Sequence, residues 1–185
     1  RDGEILQSAG RPVRPGDILI LVRRRTQFVE EMVRCLKKRN VPVAGSDRMV
    51  LTEQIAVMDL VALGRFLLLP EDDLTLAVVL KGPLFGFTDN DDLFPLAYQR
   101  PGTLWAALKA ADNPKCLQAH KRLSELLGRA DFMPPFEFYA DILTRLGGRQ
   151  KIVERLGVQA NDPLDEFLSL ALSHERSHPP SLQGF

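Results

Sequence analysis

The sequence predicts a mainly α chain that begins with a small parallel α/β unit. Ile18 to Val22 is a continuous apolar run rich in β-branched residues, bounded by Gly16-Asp17 and by Arg23-Arg24-Arg25, the pattern of a strand buried on both faces. A helical pattern follows, and then a second short strand pattern, Val41-Pro42-Val43-Ala44-Gly45. From Thr52 onward, apolar residues recur at helical spacing almost to the end of the chain. With 185 residues, 45% of them hydrophobic, the chain can bury a substantial core, as one domain or two small ones.

The segment up to Asp17, with the turn signals Arg11-Pro12 and Arg14-Pro15-Gly16, reads as linker or loop. After the first strand, Thr26 is a candidate N-cap. Phe28, Val29, Met32, Val33 and Leu36 form the inner face of its helix, with Glu30 and Arg34 as an i,i+4 pair on the outer face. Asn40 stops this helix. Thr52-Glu53 starts a second, with Ile55, Val57, Met58, Leu60, Val61, Leu63, Phe66 and Leu67 inside and Pro70 closing it. Asp72-Asp73 heads a short helix from Leu74 to Leu80, its acidic start suiting the positive helix end. A loop with two glycines and a proline spans Lys81 to Phe87, and Thr88-Asp89 caps a helix through Tyr98. Further helices are expected near Thr103 to Ala110, Pro114 to Ala130, Pro135 to Leu146, Arg149 to Leu156 and Asp162 to His174.

Charge and composition exclude several classes. The 24 Lys and Arg balance 24 Asp and Glu, so no global field draws the chain to nucleic acid or an anionic membrane, and any polyanion site must be local. The balance is uneven along the chain: through Arg48 there are 11 basic and 6 acidic residues, +5, and the remainder carries −5. Cys35 and Cys116 are too few for a disulfide framework and fit idle thiols in a reducing compartment. Asp59 and Arg65 interrupt the longest apolar stretch well before the roughly 20 residues a membrane span needs, so a soluble, cytoplasmic domain is expected. The opening Arg1-Asp2-Gly3 and the ending after Pro179-Pro180 lead us to expect a piece of a longer protein.

Four patterns carry possible chemistry. His174-Glu175-Arg176-Ser177-His178 matches H-E-x-x-H, in which two imidazoles on one helix face hold zinc and the Glu activates water. No His, Asp or Glu follows His178 to supply a third ligand, and the prolines end the helix at once; solvated imidazoles explain the pattern better, and no metal site is assigned. His120, beside Lys121, is expected to be exposed. Asp89-Asn90-Asp91-Asp92 lacks the spacing of a calcium loop and reads as helix capping. Phe132, Phe136, Phe138 and Tyr139 are a base-stacking platform or, as their helical spacing favours, core. The Arg23-Arg24-Arg25 triplet stands at the carboxyl end of the predicted strand, where ligands gather in open α/β sheets and arginines clamp phosphates. No P-loop or dinucleotide-binding glycine motif occurs anywhere.

Taken in order, these segments resemble a known family. Gly16 to Arg25, the helix after it and Asn40-Val41-Pro42-Val43 are similar to motif IV of the superfamily 1 UvrD/Rep/RecB helicases. Leu51 to Leu60, Phe66 to Asp73, Leu80 to Asp91, Gly148 to Gly157 and Asp162 to Leu172 extend the likeness to AddA-type helicase-nuclease subunits of the alphaproteobacterial kind. The resemblance implies that residues 1–95 are part of the second RecA-like (2A) domain and 96–185 the start of the inserted helical 2B domain. It implies that Arg23, or with a one-residue ambiguity in the alignment Arg25, contacts the γ-phosphate of ATP bound with Mg2+ on another lobe. It places Lys81, the Gly86 amide and the Thr88 hydroxyl near DNA, although Thr88 stands where the family has its last glycine and Phe85 where it has a basic residue. DNA, the remaining domains of the parent chain and an AddB-type nuclease subunit are the implied partners; no membrane is. The implied activity is ATP-dependent 3′ to 5′ helicase and exonuclease action in double-strand-break repair. This chain holds neither Walker motif nor nuclease signature and is expected to be inactive alone. The alternatives are an autonomous helical protein-interaction module and, far behind, an H-E-x-x-H zinc hydrolase.

Overall fold

The structure is a computed structural model describing residues 4–22, 27–43 and 50–185, without the side chains at 27, 30 and 37. Its contacts group the chain into two compact units, Arg1–Met49 and Val50–Phe185.

In the first unit, β1 (Ile5–Leu6) pairs antiparallel with β2 (Arg11–Pro12), Ile5 opposite Pro12 and Leu6 opposite Arg11. The segment expected to be linker is therefore a small hairpin, because its turn residues close a two-residue ladder. Arg11 then forks onto Asp17, 2.7 Å on each arm, and holds that carboxyl well below the usual carboxylate range. The Arg14 amide adds a bond to Asp17 at 2.8 Å. Helix α1 (Gln27–Lys38) forms as its spacing predicts, with Val29, Met32, Val33 and Leu36 half-buried and Phe28 exposed. Arg34 pairs with Glu31, three residues back; the expected Glu30–Arg34 pair lies outside the described side chains.

The predicted strand at Ile18–Val22 does not form. These residues join no ladder, and Leu19 and Leu21 are 80% and 85% exposed. A strand buried on both faces needs neighbours on each side. Among the described residues the hairpin is the only sheet, and Val41–Val43 contribute no strand. The parallel α/β unit is thus absent from the described residues, and the chain is mainly α.

The second unit is a helical assembly on one core. α2 (Ile55–Leu68) buries Leu60, Leu63 and Phe66 completely and packs on α3 (Asp73–Lys81), which buries Leu76 and Leu80. Each such side chain contributes about 1.5–3 kcal/mol by leaving water. Ile55 and Met58, expected inside, are exposed. Asp72 caps α3 through the Leu74 and Thr75 amides, both at 3.1 Å. Its neighbour Asp73 instead reaches forward to pair with Arg100 and to accept the Leu104 amide at 2.6 Å, fixing the start of α5 (Leu104–Ala110). The single helix expected from Thr88 to Tyr98 is a wide π turn, Asp89–Leu93, followed by the one-turn α4 (Phe94–Ala97). Pro95 has no N–H for an unbroken ladder and fits only in the first turn of a new helix.

α6 (Pro114–Ala130) packs on α5, and Trp105 sits between Phe66 at 5.3 Å and His120 at 4.8 Å between ring centres. His120 is therefore half-buried, its ring tilted 34° against the indole, rather than exposed. α7 (Pro135–Leu143), α8 (Gly148–Leu156) and α9 (Asn161–Ser177) complete the unit, α7 packing on α9. Phe138 and Tyr139 are core, and Tyr139 meets Phe167 edge-on at 4.9 Å; Phe132 is 85% exposed. Gly64 lets α7 approach α2, since a methyl group there would collide with the Tyr139 hydroxyl. Where the family resemblance divides the chain after residue 95, the packing runs on: α3 and α4 both contact α5.

Candidate functional site

The loop from Lys81 to Thr88 begins where α3 must stop, because Gly82 and Pro83 break the helical ladder. It folds back on the end of α3: the Gly86 amide donates to the Gly82 carbonyl at 2.8 Å and the Phe87 amide to the Leu80 carbonyl at 2.9 Å. Gly86 takes a left-handed φ of 67°, which a side chain would make costly by about 1–2 kcal/mol. Phe87 is buried beneath it.

Three cations from distant helices hold the loop's outward carbonyls. Lys115 of α6 donates to Gly86 at 2.9 Å, Lys151 of α8 to Leu84 at 2.7 Å, and Arg155 of α8 to Lys81 at 2.6 Å. Lys115 also lies 4.8 Å from the centre of the Phe87 ring and pairs with Asp92 at 2.6 Å. The Lys115 ammonium, and after it the Thr88 amide, hold the Asp92 carboxyl below its ordinary range. Burial pushes Asp59, which borders Gly82, in the opposite direction, against the pull of Arg155.

The three residues expected to meet DNA are brought together on this loop, with their donors turned inward. The Lys81 ammonium pairs with Asp89 at 2.7 Å. The Gly86 amide is spent within the loop. The Thr88 amide and hydroxyl both bond Asp92, at 2.7 and 3.1 Å. A phosphate arriving here meets Asp89 beside Lys81, and Asp91 and Asp92 beside Thr88. Arg23 and Arg25 lie outside the described residues. Lys115, Lys151 and Arg155 escaped sequence reasoning because 29 to 74 residues separate them from the carbonyls they bind. Nothing in a cation's helical position announces which distant carbonyl it meets.

The other candidates resolve more simply. Of the Asp89 to Asp92 run, expected to cap a helix, Asp92 accepts the Thr88 amide and pairs with Lys115 while Asp89 pairs with Lys81, and the Thr88 side chain caps nothing. His174 and His178 stack face to face at 4.5 Å, and His174, with its Nε2 atom buried, also meets Phe185 at 5.7 Å; it is packed rather than solvated. Glu175 accepts the Phe136 amide at 2.6 Å, so the residue that would activate water in a zinc site caps α7 instead. Among the described residues no three His, Cys, Asp or Glu side chains are grouped to hold a metal. No helix there is long and apolar enough to cross a membrane. Cys116 is buried and held at 3.1 Å from the Asn113 amide group, and burial pushes its thiol up.

Compared with known proteins, the chain matches no family model and no curated protein sequence.

Proposed function

We propose that this chain is a portion of an ATP-driven 3′ to 5′ DNA helicase and exonuclease of the UvrD/Rep/RecB class, acting in double-strand-break repair. The observation that carries the reading is the ordered set of family-like segments, from Gly16-Asp17-Ile18 to Asp162–Leu172. In the second unit those segments fall on the two ends of α2, the Lys81–Thr88 loop, α8 and α9.

In this reading the chain belongs to the second RecA-like domain and the start of the inserted helical domain. The parent enzyme works with an AddB-type subunit in the cytoplasm. Arg23, with Arg25 as the alternative, stabilises charge on the γ-phosphoryl group of a nucleotide held by another lobe. ATP supplies the free energy for translocation, with Mg2+ bridging its phosphates. In this reading ATP and Mg2+ are held by that other lobe, because the sequence contains no P-loop. Lys81, Gly86 and Thr88 face DNA only after the Asp89 and Asp92 bonds open.

Replacing Arg23 by Ala in the helicase-nuclease containing this sequence should lower ATP turnover by about 10³-fold, the scale of an arginine finger. The same loss from Arg25→Ala alone would move the role to Arg25. Unchanged turnover in both variants would overturn the reading. A second reading, an autonomous helical interaction module, is favoured by the internally satisfied loop and by the exposed apolar side chains Ile55, Met58, Leu69 and Leu74.

A further inference from the structure

Helices α6 and α8 bring Lys115, Arg122 and Lys151 to one recess beside the Lys81–Thr88 loop, lined also by Phe85, Phe87 and Gln118. Three cations in one recess demand an account in a chain of zero net charge. Lys115 is answered by Asp92 at 2.6 Å. Lys151 is not: it gives one bond to the Leu84 carbonyl and, among the described residues, forms no ion pair. Arg122 makes neither an ion pair nor a hydrogen bond with any described residue. The closest acidic influence on Lys151 is Glu154, which is engaged by Gln150 at 2.8 Å. Burial, and after it the Arg122 charge in the same recess, press the Lys151 ammonium toward its neutral form.

We propose that this recess binds the phosphate of a phosphate ester, with Arg122 and Lys151 taking its oxygens and the Phe85 ring carrying its organic part. The remaining donors decide the chemistry. Arg122 offers a planar fork and Lys151 two further N–H groups, a set that suits several oxygens on one centre better than a single carboxylate. Two unanswered positive charges match a phosphate dianion, which relieves their repulsion on binding. Phe85 is half-buried at the same recess and leaves ring surface for a planar or apolar group. None of this uses Arg23 or the nucleotide chemistry proposed above. A free mononucleotide and a nucleic-acid strand both present such an ester.

The test titrates the 185-residue chain with inorganic phosphate, with AMP and with a short single-stranded DNA, followed by calorimetry. Saturable binding of AMP, weakened at least about tenfold in Arg122→Gln and in Lys151→Gln and unchanged in Lys109→Gln, supports the proposal. Tighter binding of the DNA, steeply lost with salt, assigns the ester to a strand; AMP binding at least as tight assigns it to a free nucleotide. Circular dichroism of each variant confirms the fold, and Arg122→Glu, at a half-exposed position, gives a second charge change should Lys151→Gln unfold. Absence of saturable binding by all three ligands, or binding that the Arg122 and Lys151 variants leave intact, overturns it.

Discussion

Asp59 sits half-buried on α2 beside Gly82, with the Arg155 charge too weak an offset for the hydration it loses. A carboxyl raised in the folded state favours folding while protonated, and that advantage is lost as pH rises through the folded value. Asp59→Asn should therefore stabilise the chain at neutral pH, and the gain should vanish below the ordinary carboxylate range, where both states are protonated. Urea melts at pH 7 and pH 3.5 check this; an equal gain at both would refute it. At this scale the sequence was informative about which residues carry charge and poor about their partners. Asp72 caps α3 as its position predicts, because a cap reaches only two or three residues ahead. Asp73 spends its carboxylate on Arg100 and Leu104, and Lys151 reaches a carbonyl 67 residues away, choices made by tertiary packing alone.

Helices were the legible elements, since each advertises its own periodicity and breakers. Pro114 and Ala130 bound α6 as expected, while α7 ends at Leu143, three residues earlier than its apolar pattern suggests, and Gly147, at a left-handed φ of 68°, stands at the start of α8. Strands were less legible, because a strand exists only with a partner: Ile18–Val22 has the composition and no ladder, while Ile5–Leu6 has a ladder and little signal. The start of α7 shows a further blind spot. Pro134 stands at its N-cap and has no side-chain acceptor, so Glu175, 39 residues away, receives the Phe136 amide. Glu175→Ala should cost about 1 kcal/mol, the usual worth of an N-cap. Chemical denaturation of the variant measures it, and Glu175→Gln, which keeps an acceptor, should lose less.

Across the whole molecule the Val50–Phe185 unit carries the large fully buried side chains, from Phe66 to Leu164, and no other core is described. A chain beginning at Val50 should keep its helical circular-dichroism signal and a cooperative thermal transition; a non-cooperative melt would show that the first 49 residues are needed. Helical spacing and its breakers marked the helices of this unit, whereas the first unit's hairpin carried only turn signals. Trp105 is the only tryptophan, wedged between Phe66 and His120, and both tyrosines, Tyr98 and Tyr139, also belong to the second unit. Intrinsic fluorescence will thus report the melting of one unit and stay silent about the other, so an optical trace of a single transition must never be taken as the unfolding of the entire chain.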